Sequence, residues 1–545
     1  MLRRKFSNHP GIRHDRFDLL TLADDRRIAA NSIDIAPAEL GDAVDPESLK
    51  ETTKRRALYQ HNLPRQPALK HFERHPLQVP RIRLNGHSPF PIVIPREQCV
   101  GCGPATPRPP VVWVCHSCPG HRHFPLWDAN RRSPAYNTNG RQTCNGTTAR
   151  SRFRMGDRLY LDNAATSFPK PPQVFEALRA YAEEIGASAG RGAYTEAVET
   201  GRIVSECRRR LARLIGAEKP EEIVFTFNCS GALNQAIKGL LKPGDHVIAT
   251  TMEHNSALRP LNALSQQGTI EASYVQADPA TGIVAAADVI ANITRKTRLV
   301  CLVHASNVTG TVQPIEEVGR ELRRRNVLFL VDAAQTAGHR LVDVKSGTID
   351  FLALPGHKGL MGPLGTGALY IREGLERHLA PLIQGGTGSV SELPEQPDFM
   401  PDKFESGSHN AIGLAGLNAA LEWIEQKGID ALAEHDQALC DQFIAKAGEI
   451  PDLTIYGPKD AEKRMAVFSI RLNGMDPQEL STLMEGEFGI LTRSGIHCAP
   501  LAHQTIGTHA DGGTTRLSFG AFNTPQDVDR CITCLSELSA IASRA

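Results

Sequence analysis

The chain is 545 residues long, enough for three or four structural units, and 41% of its residues are hydrophobic, so a sizeable core can form. The net charge of +1 hides an asymmetry: residues 1–154 hold 25 of the 61 Lys and Arg but only 13 of the 60 Asp and Glu, leaving the remainder acidic. There is no run of eighteen apolar residues, so a membrane-spanning helix is not expected, and the basic N-terminus lacks the apolar centre of a secretory signal.

Residues 1–154 form an extension rich in Pro, Arg and His, with 17 of the 36 prolines and few sustained apolar periods. Such a composition is poorly able to bury a core and points to disorder. Within it, Cys99-x-x-Cys102 and Cys115-x-x-Cys118 resemble the knuckles of a zinc ribbon, and four thiolates suit tetrahedral zinc. Both readings of the extension stay open.

Beyond it, apolar runs alternate with amphipathic stretches, as βα units require. Glu222–Phe227 reads as a strand, Asn228–Gly231 as a turn and Ala232–Leu241 as a helix. Ser230 and Gly231 then sit at a helix N-terminus, which is an anion cradle. Four further apolar runs each deliver a polar residue. The run from Asp245 ends in His254, the one from Thr297 in Asn307, the one from Val327 in Asp332 with Gln335 just beyond, and the one from Asp350 in His357 and Lys358. Buried parallel strands read this way, and ligands of open α/β sheets bind at their carboxyl ends. An amine and a carboxylate presented there suit pyridoxal phosphate (PLP): the lysine holds the cofactor covalently, and the aspartate keeps its ring nitrogen protonated. Apolar residues at three- and four-residue steps predict a helix over Ile412–Ile424, closing a large domain over 155–425. A smaller α/β domain is expected over 426–545, with 155–175 added to its rim.

Several segments recur in one order: Leu161-Asp-Asn-Ala-Ala-Thr166, Ser306-Asn-Val-Thr-Gly310, Val331-Asp-Ala-Ala-Gln335, Gly356-His-Lys358, Phe404-Glu-Ser-Gly-Ser408 and Arg493-Ser-Gly-Ile-His-Cys-Ala499. On these, residues from about 158 to 540 resemble the class V aminotransferase-fold enzymes, and among them the cysteine desulfurases and selenocysteine lyases. The resemblance implies PLP fold type I, with a mainly parallel seven-stranded sheet. It implies Lys358 as the Schiff-base lysine, Asp332 on the pyridine nitrogen, Gln335 near the phenolic oxygen and His254 stacked on the ring. Ser230 and His357 would bind phosphate, completed by Ser408 of a second subunit in a homodimer. Family-like text begins near Met155, which makes that residue a candidate natural start.

Sulfur abstraction from cysteine needs a thiolate that can hold the sulfur as a persulfide, and Cys498 in its Arg-x-Gly-x-His-Cys-Ala context is the candidate. Arg493 and His497 are the groups expected to favour its ionised form. Arg516, in Thr515-Arg516-Leu-Ser-Phe-Gly, is expected to clamp the substrate carboxylate with its guanidinium fork. Asn228-Cys229 stands where the family usually has Gly-Thr. Arg191–Thr195 reads as a glycine-bearing entrance loop. The expected activity is conversion of L-cysteine to L-alanine, with sulfur passed to an acceptor protein, as in iron–sulfur cluster assembly. Selenocysteine lyase, or another class V aminotransferase or lyase, is the alternative. A different class of protein, a PLP-sensing regulator with a basic head on nucleic acid, is disfavoured by the full set Lys358, Asp332, Cys498 and Arg516. A catalytic thiol among many unpaired cysteines suits a cytoplasmic setting.

Overall fold

The computed structural model describes residues 157–189 and 192–543. Cys99, Cys102, Cys115 and Cys118 lie outside the described residues, as do the rest of 1–154, Met155 and Arg191.

A two-residue strand, β1 (Leu159–Tyr160), opens the described chain. Seven strands then build the main sheet: β2 (Ile223–Thr226), β3 (Asp245–Thr250), β4 (Ile270–Val275), β5 (Thr297–Val303), β6 (Leu328–Asp332), β7 (Phe351–Pro355) and β8 (Gly367–Ile371). Their order is β2-β8-β7-β6-β5-β3-β4. Neighbours are parallel except at β8, which runs antiparallel to both β2 and β7. The mainly parallel seven-stranded sheet is therefore the expected one, with β4 and β8 as the strands that the apolar runs did not announce.

Burial on both faces explains why these strands read as unbroken apolar runs. Along β6, Leu328 and Leu330 join one hydrophobic cluster, whereas Phe329 and Val331 join the cluster on the opposite face. The helix Ala411–Lys427 contains the predicted 412–424 stretch and buries Leu414, Leu417, Leu421 and Ile424. It packs against the helices Pro172–Ala180 and Thr195–Ile215. Asn410 caps its start by accepting from the Gly413 amide, and Gly428, at a φ of 84°, ends it.

The C-terminal part carries β9 (Leu453–Tyr456), β10 (Val467–Leu472), β11 (Ile490–Leu491), β12 (Arg493–Gly495) and β13 (Thr514–Ser518). Four of them form an antiparallel sheet in the order β12-β13-β10-β9, and β11 pairs with β1. A cluster around Phe443, Phe468 and Phe519 fills the space between this sheet and its helices. The opening segment thus belongs structurally with the C-terminal strands, since Asp162 also bridges Ser518. Among the described residues, no helix is long and apolar enough to cross a membrane.

Candidate active site

The chain leaves β3 toward β4 on one side, while β5, β6 and β7 extend the sheet on the other. Open sheets of this kind form a crevice at the carboxyl edge near such a reversal. A cavity lies there, lined by Ser230, His254, Asn307, Asp332, Gln335, His357 and Lys358, with Cys229 and Ser256 among the remaining lining residues. Seven of the residues singled out from sequence therefore converge on one space.

Each wall has a local cause. Asp332 is the last residue of β6 and is 1% exposed. Its Oδ1 accepts from the Ala334 amide at 2.9 Å and from the Cys229 thiol at 3.4 Å. Burial raises its pKa, an effect that the Ala334 amide and the nearby Lys358 oppose. Lys358 follows the tight turn after β7, and burial lowers the pKa of its amine, while Asp332 pulls it back up. The peptide before it is pinned: the His357 carbonyl accepts from the Ser167 amide at 3.1 Å, the Thr166 hydroxyl at 3.0 Å and the Lys170 amine at 3.2 Å.

His254 is not a strand-end residue, because β3 stops at Thr250. It caps the helix Asn255–Gln266, its Nδ1 accepting from the Ser256 amide at 3.0 Å. Burial, then the charges of Lys358 and Arg493, lower its pKa to about 4, so the ring is neutral at physiological pH. Burial likewise lowers His357 to about 4. Ser230 lies in the first turn of the helix Cys229–Leu240, and its hydroxyl is 2.6 Å from that of Ser256. The Gly231 amide is already taken by the capping side chain of Asn228, at 2.9 Å. Gln335 donates to the Ala164 carbonyl at 3.1 Å, joining the opening segment to the cavity wall.

Other predicted residues stand outside this cavity. Gly231 and Ser408 line an adjacent one, with Phe227 and Ile383. Cys498 is exposed and sits in a turn whose backbone is tied to the cavity's edge. The Cys498 carbonyl accepts from the Asn255 amide at 2.8 Å, and Asn307 Nδ2 donates to the His497 carbonyl at 2.6 Å. These bonds hold His497 and Cys498 at φ of 50° and 60°, a left-handed conformation that non-glycine residues rarely adopt.

Cross-strand pairing sets Arg493 of β12 directly opposite Arg516 of β13. Two like charges face to face are unfavourable unless anions separate them. Arg516, 1% exposed, meets Asp162 Oδ1 at 2.5 Å and donates to the Asn307 carbonyl at 3.2 Å. Arg493 Nη2 lies 3.6 Å from the Cys498 sulfur. Of the two groups expected beside that thiol, the arginine is in place. His497 instead turns its Nε2 to the Thr514 carbonyl at 3.1 Å, and burial drives its pKa well below the usual range.

The donor set fits PLP. It offers a buried carboxylate, an amine whose charged form burial disfavours and a hydroxyl at a helix start. Asn307 Oδ1, His357 Nδ1 and Arg516 Nε are buried without a hydrogen-bond partner in the structure, as polar atoms awaiting a ligand would be.

A family model described as aminotransferase class-V matches residues 159–531. The chain belongs to that family. It is 36% identical over 390 residues to a probable cysteine desulfurase of Methanothermobacter thermautotrophicus, covering 71% of this chain and 96% of the relative. A cysteine desulfurase of Salmonella dublin is 30% identical over 386 residues, covering 70% and 93%. Among solved structures, the apo cysteine desulfurase of Thermococcus onnurineus NA1 is 34% identical with a TM-score of 0.66, covering 71% of this chain and 95% of its own. A cysteine desulfurase from Escherichia coli is 27% identical with a TM-score of 0.63, covering 72% and 97%. Members of this group are PLP-dependent enzymes, and this chain is one.

Proposed function

We propose that the protein is a cysteine desulfurase, releasing L-alanine from L-cysteine and carrying the sulfur on Cys498. One observation carries this reading: an exposed thiol 3.6 Å from a guanidinium, on a turn bonded to both Asn255 and Asn307 at the edge of the Lys358 cavity. A transaminase has no use for such a thiol.

PLP, when bound, supplies an electron sink for the bonds broken at the substrate. Lys358 would hold it, Asp332 would face its ring nitrogen, His254 and Gln335 would bound its ring, and Ser230 and His357 would take its phosphate. The amine of Lys358, its charged form disfavoured by burial, is suited to accept the substrate α-proton. Arg516 would hold the α-carboxylate, and Asn307, bonded to both Arg516 and the Cys498 turn, keeps clamp and nucleophile in register. Cys498, whose sulfur lies 3.6 Å from Arg493 Nη2, attacks the substrate sulfur as its thiolate. An S–S bond then forms as the C–S bond breaks, and the electron pair stays with the carbon fragment.

Ser408 would serve the second subunit's site in a homodimer, a reading supported by its lining a separate cavity from that of Lys358 in its own chain. An acceptor protein would take the persulfide sulfur, as iron–sulfur cluster assembly requires. A cytoplasmic setting suits the seven unpaired cysteines among the described residues.

The test is incubation of the PLP-saturated protein with L-cysteine and, separately, L-selenocysteine, with an added dithiol that reduces the persulfide and frees its outer sulfur as sulfide. Alanine and sulfide should appear in equal amounts from cysteine. Cys498→Ala should keep the cofactor's absorbance and lose sulfide release. Desulfuration by that variant at the parent rate would remove the persulfide role.

A further inference from the structure

The cavity around Lys358 is lined by a sulfur atom that the mechanism above does not use. Cys229 is the first residue of the helix Cys229–Leu240, is 8% exposed, and places its Sγ 3.4 Å from Asp332 Oδ1. The Asp332 carboxylate accepts from the Cys229 thiol and from the Ala334 amide, and both bonds fall on Oδ1. An ionised thiol at that distance would set two buried anions against each other. Burial, and then the Asp332 charge, push the thiol well above its ordinary range, so the sulfur keeps its proton and is the donor.

We propose that Cys229 is a positioning residue for the reaction: its S–H and the Ala334 amide occupy Asp332 Oδ1, fixing the carboxylate so that Oδ2 remains the acceptor for the ring nitrogen of the cofactor. The inference rests on the reading of this cavity as the PLP site. A donor on Oδ1 also draws charge away from the carboxylate, so Cys229 tunes how strongly Asp332 stabilises positive charge on the bound cofactor. Removing the donor concentrates that charge and should raise the pH at which the cofactor loses its proton. A threonine or serine hydroxyl at 229 could make the same bond, whereas alanine and valine could not.

The experiment compares the PLP-loaded parent with Cys229→Ala, Cys229→Val and Cys229→Ser. The pH midpoint of cofactor absorbance, kcat and KM for L-cysteine, and the melting temperature are measured for each. Cys229→Val nearly preserves side-chain volume, so it separates loss of the donor from loss of packing. Both donorless variants should move the absorbance midpoint upward by about half a pH unit and lower kcat roughly three- to tenfold, with KM little changed, the size of one weak hydrogen bond. Cys229→Ser should restore both quantities. An unchanged midpoint in Ala and Val, or a serine variant as impaired as alanine, overturns the proposal. If the parent forms no alanine from cysteine, the desulfurase reading fails, while the absorbance midpoint still decides the role of Cys229.

Discussion

Single side chains show what a polar residue after an apolar run can and cannot reveal. Lys358, Asp332 and Asn307 were legible because each follows a run too apolar to end by accident in a charge or an amide. Cys229 was not, because a buried thiol in a sequence looks like any small hydrophobe until a carboxylate is found beside it. Nor could spacing show that His497 would turn to Thr514 while Arg493 alone met the sulfur. The fork of Arg516 matters in the same way. Asp162 and Asn307 hold it, and Nε has no partner in the structure. Arg516→Lys keeps the charge and loses the planar fork, so KM for L-cysteine should rise about tenfold or more, equivalent to roughly 1.4 kcal/mol. Steady-state kinetics would settle it, and an unaltered KM would take the carboxylate clamp away from this residue.

At the scale of elements, unbroken apolar runs found the buried strands because both of their faces are covered, and apolar residues at three- and four-residue steps found the helix around Leu414 and Leu417. Such runs did not announce β4, whose apolar run Glu271 and Ser273 interrupt, or β8, whose following Arg372 binds Asp350 and marks no site. They also carried β3 four residues too far, since His254 belongs to the cap of the next helix. Caps do more than end helices here. Asn228 caps the helix that presents Cys229 and Ser230, and its own side chain occupies the Gly231 amide. Asn228→Ala should cost about 1 kcal/mol of stability through the lost cap. Because the same turn carries the proposed phosphate ligand, the PLP dissociation constant should rise along with the fall in melting temperature. A variant that melts earlier yet binds PLP as tightly as the parent would separate the cap from the phosphate site.

For the whole molecule, buried titratable groups set opposing limits on the pH range of stability. Burial lowers His254, His357 and His503 to about 4 and His304 to about 3. As pH falls below about 6.5, the unfolded chain takes up protons that these native rings refuse, so stability declines towards pH 4. Each such group contributes at most about 1.4 kcal/mol per pH unit within its window, and less for the partly exposed His254 and His357. Glu253 acts in the opposite sense. It is fully buried, its Thr250 bond is 2.6 Å, and burial raises its pKa to about 8. From about pH 4.5 upward the unfolded chain gives up this proton while the native state retains it, so stability is lost progressively until pH 8. Below 6.5 these histidines, joined by His497, outweigh Glu253, and between 6.5 and 8 Glu253 acts without them. Melting temperature should therefore peak near pH 6.5, fall steeply on the acid side and fall gently up to pH 8. Glu253→Gln keeps the shape without the ionisation, and should hold its melting temperature level from pH 6.5 to 8. Calorimetric scans of both proteins across this range are the check, and an alkaline decline of equal slope in the glutamine variant would show that another group is responsible.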